Sequence, residues 1–113
     1  MISIYHNPRC KKSREGLSIL EDSGQGFEII NYLDNVPSQE DLKIILEKLE
    51  IEPINLVRKQ EKIWKEKFKI KELTDLKVIK AVYDFPILIE RPIVINGDKA
   101  IIGRPPENIK RIL

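Results

Sequence analysis

The chain of 113 residues has one cysteine, Cys10, and one histidine, His6. A lone cysteine excludes an internal disulfide, and with a single histidine it falls short of the three or four N/S ligands of a protein-built zinc site. No metal and no bound cofactor are therefore expected, and any redox cycle has to borrow thiols from outside. Charge of one sign is also scarce: the net charge of +2 is too small to name nucleic acid as a partner. No apolar run approaches the ~20 residues that span a bilayer, since the longest are broken at Glu90-Arg91. The N-terminus lacks a basic region followed by an apolar core, so no export signal or membrane association is expected and the cytoplasm is the expected compartment. A hydrophobic fraction of 42% with 34% charged residues suits one folded domain over residues 1–113.

What is present centres on Tyr5-His6-Asn7-Pro8-Arg9-Cys10-Lys11-Lys12-Ser13-Arg14. Met1 to Tyr5 alternates as a short strand does, and Asn7-Pro8 cannot continue it, because proline lacks the donor a ladder requires. From Cys10 onward Leu17 and Leu20 fall at helical spacing, which puts Cys10 at or just before a first helical turn. Free amide N–H groups and the dipole at such a terminus stabilise an anion, and Arg9, Lys11, Lys12 and Arg14 add positive charge. Both effects lower a thiol pKa, and the thiolate is the nucleophile. Cys10 is thus a candidate reactive thiol; the alternative is a small buried hydrophobe.

Asp22-Ser23-Gly24-Gln25-Gly26 forms a turn cluster and Phe27–Leu33 has strand composition, so strand, helix and strand read as a βαβ unit. Ser38 and Asp41 form a capping-box pattern ahead of Leu42, Ile45, Leu46 and Leu49. Residues 57–80 hold nine basic residues, among them Lys65, Lys69 and Lys71, against four acidic ones. Interspersed lysine and glutamate of this kind reads as a solvated helical face, with Trp64 and Phe68 packing inward. Thr74 caps a further expected helix with Leu76, Ile79 and Tyr83 on its buried side. Ile87-Leu88-Ile89 and Pro92–Ile95 read as strands, Asn96-Gly97-Asp98 as a hairpin turn and Ala100–Ile102 as the returning strand. Pro105 and Pro106 suit the first turn of a short closing helix with Ile109, Ile112 and Leu113 inward.

Arg91 interrupts an apolar run and Arg104 lies between a strand and a helix, where a buried cation is costly without an anion. Each either pairs with a carboxylate such as Glu90 or Glu107, or faces a shared anion site together with Arg58, since a planar guanidinium suits capture of a tetrahedral oxyanion.

Two long motifs, Ile4-Tyr5-His6-Asn7-Pro8-Arg9-Cys10 with Ser13-Arg14, and Pro86–Val94 followed by Gly103-Arg104-Pro105-Pro106, closely resemble the arsenate reductase family, in the branch that works with glutathione and glutaredoxin. Leu56-Val57-Arg58 with Glu61 is a third, weaker match. The resemblance implies an α/β thioredoxin-like fold: a mixed four-stranded sheet flanked by helices, with a helical insertion at about 36–84 between the βαβ unit and the C-terminal hairpin. It implies that Cys10 attacks arsenate and that glutathione and glutaredoxin resolve the adduct to arsenite, with glutathione a co-substrate, in a monomer serving arsenic resistance. Position by position it makes Arg58, Arg91 and Arg104 the oxyanion ligands, His6, Ser13 and Arg14 the groups that assist the thiolate, and Pro92 the cis-proline opposite the cysteine. For His6, a structural or electrostatic role is preferred to proton transfer.

Two other functions share these residues. Cys10-Lys11-Lys12-Ser13 has the Cys-x-x-Ser form of a general glutathione-dependent thiol oxidoreductase. A redox-linked regulator that binds RNA polymerase shares the fold but typically uses Cys-x-x-Cys, which Ser13 breaks. A phosphatase-like Cys-x5-Arg loop is excluded, because Gly16 stands where its arginine would be.

Overall fold

The computed structural model describes residues 1–68 and 72–113, so Lys69 and Lys71 of the basic stretch lie outside the described residues. The chain divides into two compact units, Met1–Asn35 with Arg91–Leu113, and Val36–Glu90.

The first unit carries the sheet. Strand β1 (Ile2–His6) leads to helix α1 (Lys11–Asp22) and strand β2 (Phe27–Asn31); after the second unit come β3 (Ile93–Asn96), β4 (Lys99–Ile102) and a 3-10 helix, Pro106–Ile112. The sheet order is β2-β1-β3-β4. β1 pairs parallel with β2 and antiparallel with β3, and β3 pairs antiparallel with β4. This is the expected mixed four-stranded, thioredoxin-like sheet. Alternation along β1 buries Ile2, Ile4 and His6. Ile2 and Ile4 form one core with Leu20, Val94 and Ile109, while His6 extends that inward face to the end of the strand.

Register brings distant residues together. Tyr5 stands opposite Ile93, and Ile93 opposite Ile102. The chain leaving β1, the Arg91-Pro92 segment entering β3 and the Gly103-Arg104 segment leaving β4 therefore share one edge of the sheet. The Gly103 N–H donates to the Pro92 carbonyl at 2.8 Å. The Arg91-Pro92 peptide is cis, and so is Arg104-Pro105. Pro105 is the N-cap of the closing helix and only Pro106 enters its first turn, as a 3-10 rather than an α-helix.

In the second unit, Ser38 caps α2 (Gln39–Leu49) with the full capping box: its Oγ accepts from the Asp41 N–H at 3.0 Å while Asp41 accepts from the Ser38 N–H. Leu42, Ile45 and Leu46 are buried. In α3 (Lys62–Lys67) Trp64 is buried and stacks on Phe68 at 5.3 Å, while Lys65 and Lys67 are exposed. Thr74 caps α4 (Asp75–Asp84), but the buried side is Val78, Ile79, Ala81 and Val82; Leu76 and Tyr83 are exposed. Apolar residues cover most of this helix's circumference, so two stripes share Ile79 and periodicity does not choose between them. Ile87-Leu88-Ile89 is not a strand. Pro86–Leu88 is a 3-10 turn, and Ile89 makes a single antiparallel bridge to Val57, bracketed by Arg58 N–H to the Leu88 carbonyl at 2.7 Å and Glu90 N–H to the Leu56 carbonyl at 2.8 Å. Proline at one end of the run removes the donor from which a ladder would be extended.

Close packing at the sheet edge rests on Gly16. A Cβ there would lie 2.7 Å from Pro92 Cγ and 2.9 Å from Ile109 Cδ1. Alanine gains up to ~1 kcal/mol of helix propensity over glycine, whereas overpacking against a rigid proline ring costs ~1–3 kcal/mol. Gly16→Ala is expected to destabilise the protein by a net ~1–2 kcal/mol, read as a lowered melting temperature; a raised one would show that α1 shifts freely.

Candidate active site

The loop that carries the cysteine is a hydrogen-bonded turn. The Asn7 carbonyl accepts from the Cys10 N–H at 3.0 Å, and Asn7 Oδ1 accepts from the Arg9 N–H at 3.0 Å. Asparagine closes such a turn with its own side chain, and proline after it blocks continuation of β1. Cys10 then stands as the N-cap of α1 in extended conformation, and its carbonyl accepts from the Arg14 N–H at 3.0 Å.

Beneath the loop, Ser13 is fully buried and its Oγ lies 2.6 Å from His6 Nδ1 while accepting from the Asn7 N–H at 3.0 Å. His6 and Ser13 thus tie the end of β1 to the first turn of α1. Burial, and then the Arg14 charge, hold His6 below its ordinary pKa against an opposing hydrogen bond with the Ser13 backbone, so the ring is neutral at neutral pH. Arg14 is exposed and donates from Nη1 to the Pro8 carbonyl at 2.8 Å. Asn7, buried and holding three of these bonds, has no candidate role in sequence reasoning; the asparagine-proline pair that ends the strand is the signal that points to it.

Two arginines come to the sulfur from the segments that enter β3 and leave β4 at the same end of the sheet. Arg104 donates from Nη2 to Cys10 Sγ at 3.3 Å and from Nε to the Arg91 carbonyl at 2.8 Å. Arg91 is buried, 8% exposed, and its side chain also hydrogen-bonds the Cys10 sulfur. Cys10 itself is half-buried. Burial pushes its thiol up, but the Ser13 backbone N–H, the Arg91 hydrogen bond and the charges of Arg91 and Arg104 together outweigh that push and hold it below the ordinary thiol value. Ser13 therefore reaches the sulfur through its N–H, its hydroxyl being engaged by His6 and Asn7. The cations that act on the thiol are Arg91 and Arg104, eighty residues and more along the chain, whereas Arg9, Lys11, Lys12 and Arg14 beside it are exposed. Arg58 belongs to the second unit, where its Nε pairs with Glu61 Oε2 at 3.1 Å. Pro92 is fully buried behind its cis bond.

The Cys10 sulfur, its thiol held below the ordinary value by two guanidinium groups, is a candidate nucleophile. A family model described as ArsC family matches residues 5–112. The chain belongs to the ArsC family. This ArsC-family chain is 43% identical to a protein of Haemophilus influenzae named arsenate reductase, over 99% of the chain and 98% of that protein. It is 41% identical to an arsenate reductase of Neisseria meningitidis serogroup A, over 99% and 97%. A solved structure titled arsenate reductase from Vibrio cholerae superposes with a TM-score of 0.95 at 41% identity, covering 99% of this chain and 97% of that one. Among the described residues no group of three histidine, cysteine or acidic side chains is arranged to hold a metal, and no helix is long and apolar enough to cross a membrane.

The lowered Cys10 pKa has a definite sign in stability. The folded state holds its thiol proton more weakly than the unfolded chain, so the thiolate's contribution is fully present above the unfolded thiol value of ~8.5 and is lost as pH falls through the folded pKa. In this ArsC-family protein, stability is expected to rise with pH across that window and Cys10→Ser to flatten the rise in denaturant titrations. Arg104→Ala should move the thiolate absorbance midpoint upward; an unmoved midpoint would show that Arg104 does not stabilise the anion.

Proposed function

We propose that the protein reduces arsenate to arsenite. The observation that carries this reading is the pair of guanidinium groups on one half-exposed sulfur. A thiolate and an arsenate anion repel each other, and the barrier to their meeting falls when fixed cations stand at the point of attack. Arg91 and Arg104 are such cations, and a guanidinium released from sulfur has donors for a tetrahedral oxyanion. The named activity of the relatives, which the chain matches end to end, supports the same substrate.

In the first step the Cys10 thiolate attacks arsenic; an S–As bond forms, an As–O bond breaks, and the oxygen leaves with a proton as water or hydroxide. Arsenic is still pentavalent. Reduction needs two electrons, which two thiols supply by becoming one disulfide. With one cysteine in the chain, both thiols come from outside. Glutathione then condenses with the arsenic adduct: its sulfur bonds to arsenic, a second As–O bond breaks and that oxygen leaves with the thiol proton as water, after which a glutaredoxin thiolate attacks the glutathione sulfur. The S–As electron pair passes to arsenic, a glutathione–glutaredoxin disulfide leaves, and hydrolysis releases arsenite and the Cys10 thiol. Such a cycle belongs in the reducing cytoplasm, where glutathione is kept as the thiol.

His6 takes no proton in this scheme. Its Nδ1 is occupied by Ser13, and its work is to hold the loop that presents the sulfur.

With glutathione, glutaredoxin and its NADPH-dependent reductase present, NADPH oxidation is expected only when arsenate is added, and Cys10→Ser should abolish it. Arg104→Ala should lower kcat by ~10²-fold, about 3 kcal/mol, the size of one lost oxyanion donor. Arg104 is half-exposed, so this variant tests the cradle with less risk to folding than one at buried Arg91. NADPH oxidation independent of arsenate, in folded protein, would instead establish a general thiol oxidoreductase.

A further inference from the structure

Four cations flank Cys10 in the sequence, and three have no part in the site as built. Arg14 is tied to the Pro8 carbonyl and its charge acts on His6. Arg9, Lys11 and Lys12 are exposed, and the charges that act on the thiol are those of Arg91 and Arg104. Among the described residues Arg9 and Lys11 have no ion-pair partner, and Lys12 is only 3.8 Å from Glu15 with both side chains substantially exposed, a pair of little energetic weight. Lys11 and Lys12 also occupy the first turn of α1, where the dipole disfavours cations and where no acidic residue stands. Local stability therefore gives no reason for them, and an approaching anion does.

That anion differs from the oxyanion, which Arg91 and Arg104 already receive at the sulfur. The reagent that follows it must bring a thiol to the same place from solvent. Glutathione carries a carboxylate on either side of its cysteine and a net negative charge at neutral pH. Its carboxylates match exposed cations spread immediately before and after the reacting sulfur in the chain. We propose that Arg9, Lys11 and Lys12 form the docking surface for the carboxylates of glutathione. The inference rests on the reductive reading above, but its test needs no arsenate.

The measurement is mixed-disulfide formation on the full-length protein. The Cys10 thiolate attacks one sulfur of glutathione disulfide, the S–S bond breaks, a Cys10–glutathione disulfide forms and glutathione thiolate leaves. The same exchange with uncharged 2-hydroxyethyl disulfide provides the denominator, so any effect of a substitution on the thiolate itself cancels from the ratio of the two rates. In the Lys11→Glu/Lys12→Glu double variant, and in Arg9→Glu, the ratio is expected to fall about tenfold below the wild-type value, and the wild-type ratio to fall with added salt. A ratio equal in wild type and variants, or indifferent to salt, overturns the docking surface. A protein that shows the charge-dependent ratio yet never reduces arsenate keeps this surface and loses the arsenate reading; one that reduces arsenate with an unchanged ratio does the reverse.

Discussion

The sulfur of Cys10 and the guanidinium groups of Arg91 and Arg104 make one another tolerable. A cation as buried as Arg91 is expensive without an anion close by, and a half-buried thiol is pushed toward its neutral form unless donors and positive charge favour the thiolate. Each meets the other's requirement. Arg104 adds a second link, because its Nε holds the Arg91 carbonyl while its Nη2 holds the sulfur. On the proposed reading, an arriving oxyanion would find its donors already oriented, with little reorganisation left for the reaction itself.

Sheet topology delivers these groups to one point. The exit of β1, the entry of β3 and the exit of β4 share an edge because β3 runs antiparallel to both neighbours. α1 packs close behind that edge because Gly16 and Gly103 present no side chain to Pro92 and Ile109. Under the loop, the His6, Ser13 and Asn7 contacts bind the strand end to the helix start, so Cys10 is held through its main chain at Asn7 and through the Ser13 N–H at its sulfur. The lone histidine of the chain is thereby a buttress for the loop that carries Cys10.

Much of this was legible in the sequence, for local reasons. Alternation that stops at Asn7-Pro8 marks the end of β1, the following helical spacing marks α1, and Ser38 with Asp41 marks α2, each readable within a few residues. Arg91 and Arg104 were visible as charges in places where charge is costly. Their meeting with Cys10 was not legible from spacing, because it depends on the pairing register of strands some ninety residues apart; only the resemblance of whole motifs carried it. Proximity in sequence misled at the thiol itself, where Arg9, Lys11 and Lys12 looked like its stabilising cations but are exposed, Arg9 in the turn before Cys10 and the two lysines in the first turn of α1. The buried face of α4 was misread because Leu76 and Tyr83 share with Ile79 a spacing as regular as that of Val78 and Val82. No local pattern distinguishes the cis bond before Pro105 from a trans one.

A thiol that acts alone is caught between two demands. Burial beside the arginines sets donors and positive charge at the sulfur but works against its ionisation, and exposure leaves it accessible from solvent. Half-burial at the mouth of α1 answers both. Arg104 donates to the sulfur from the exit of β4, while the residues that flank Cys10 in the chain, Pro8 and Arg9 before it and Lys11 and Lys12 after it, are all exposed. A second cysteine at position 13 would allow an internal disulfide to close the cycle, but Ser13 is buried and its hydroxyl is already engaged by His6 and Asn7. The residue that secures the loop is therefore also the one whose identity leaves the chain with a single thiol.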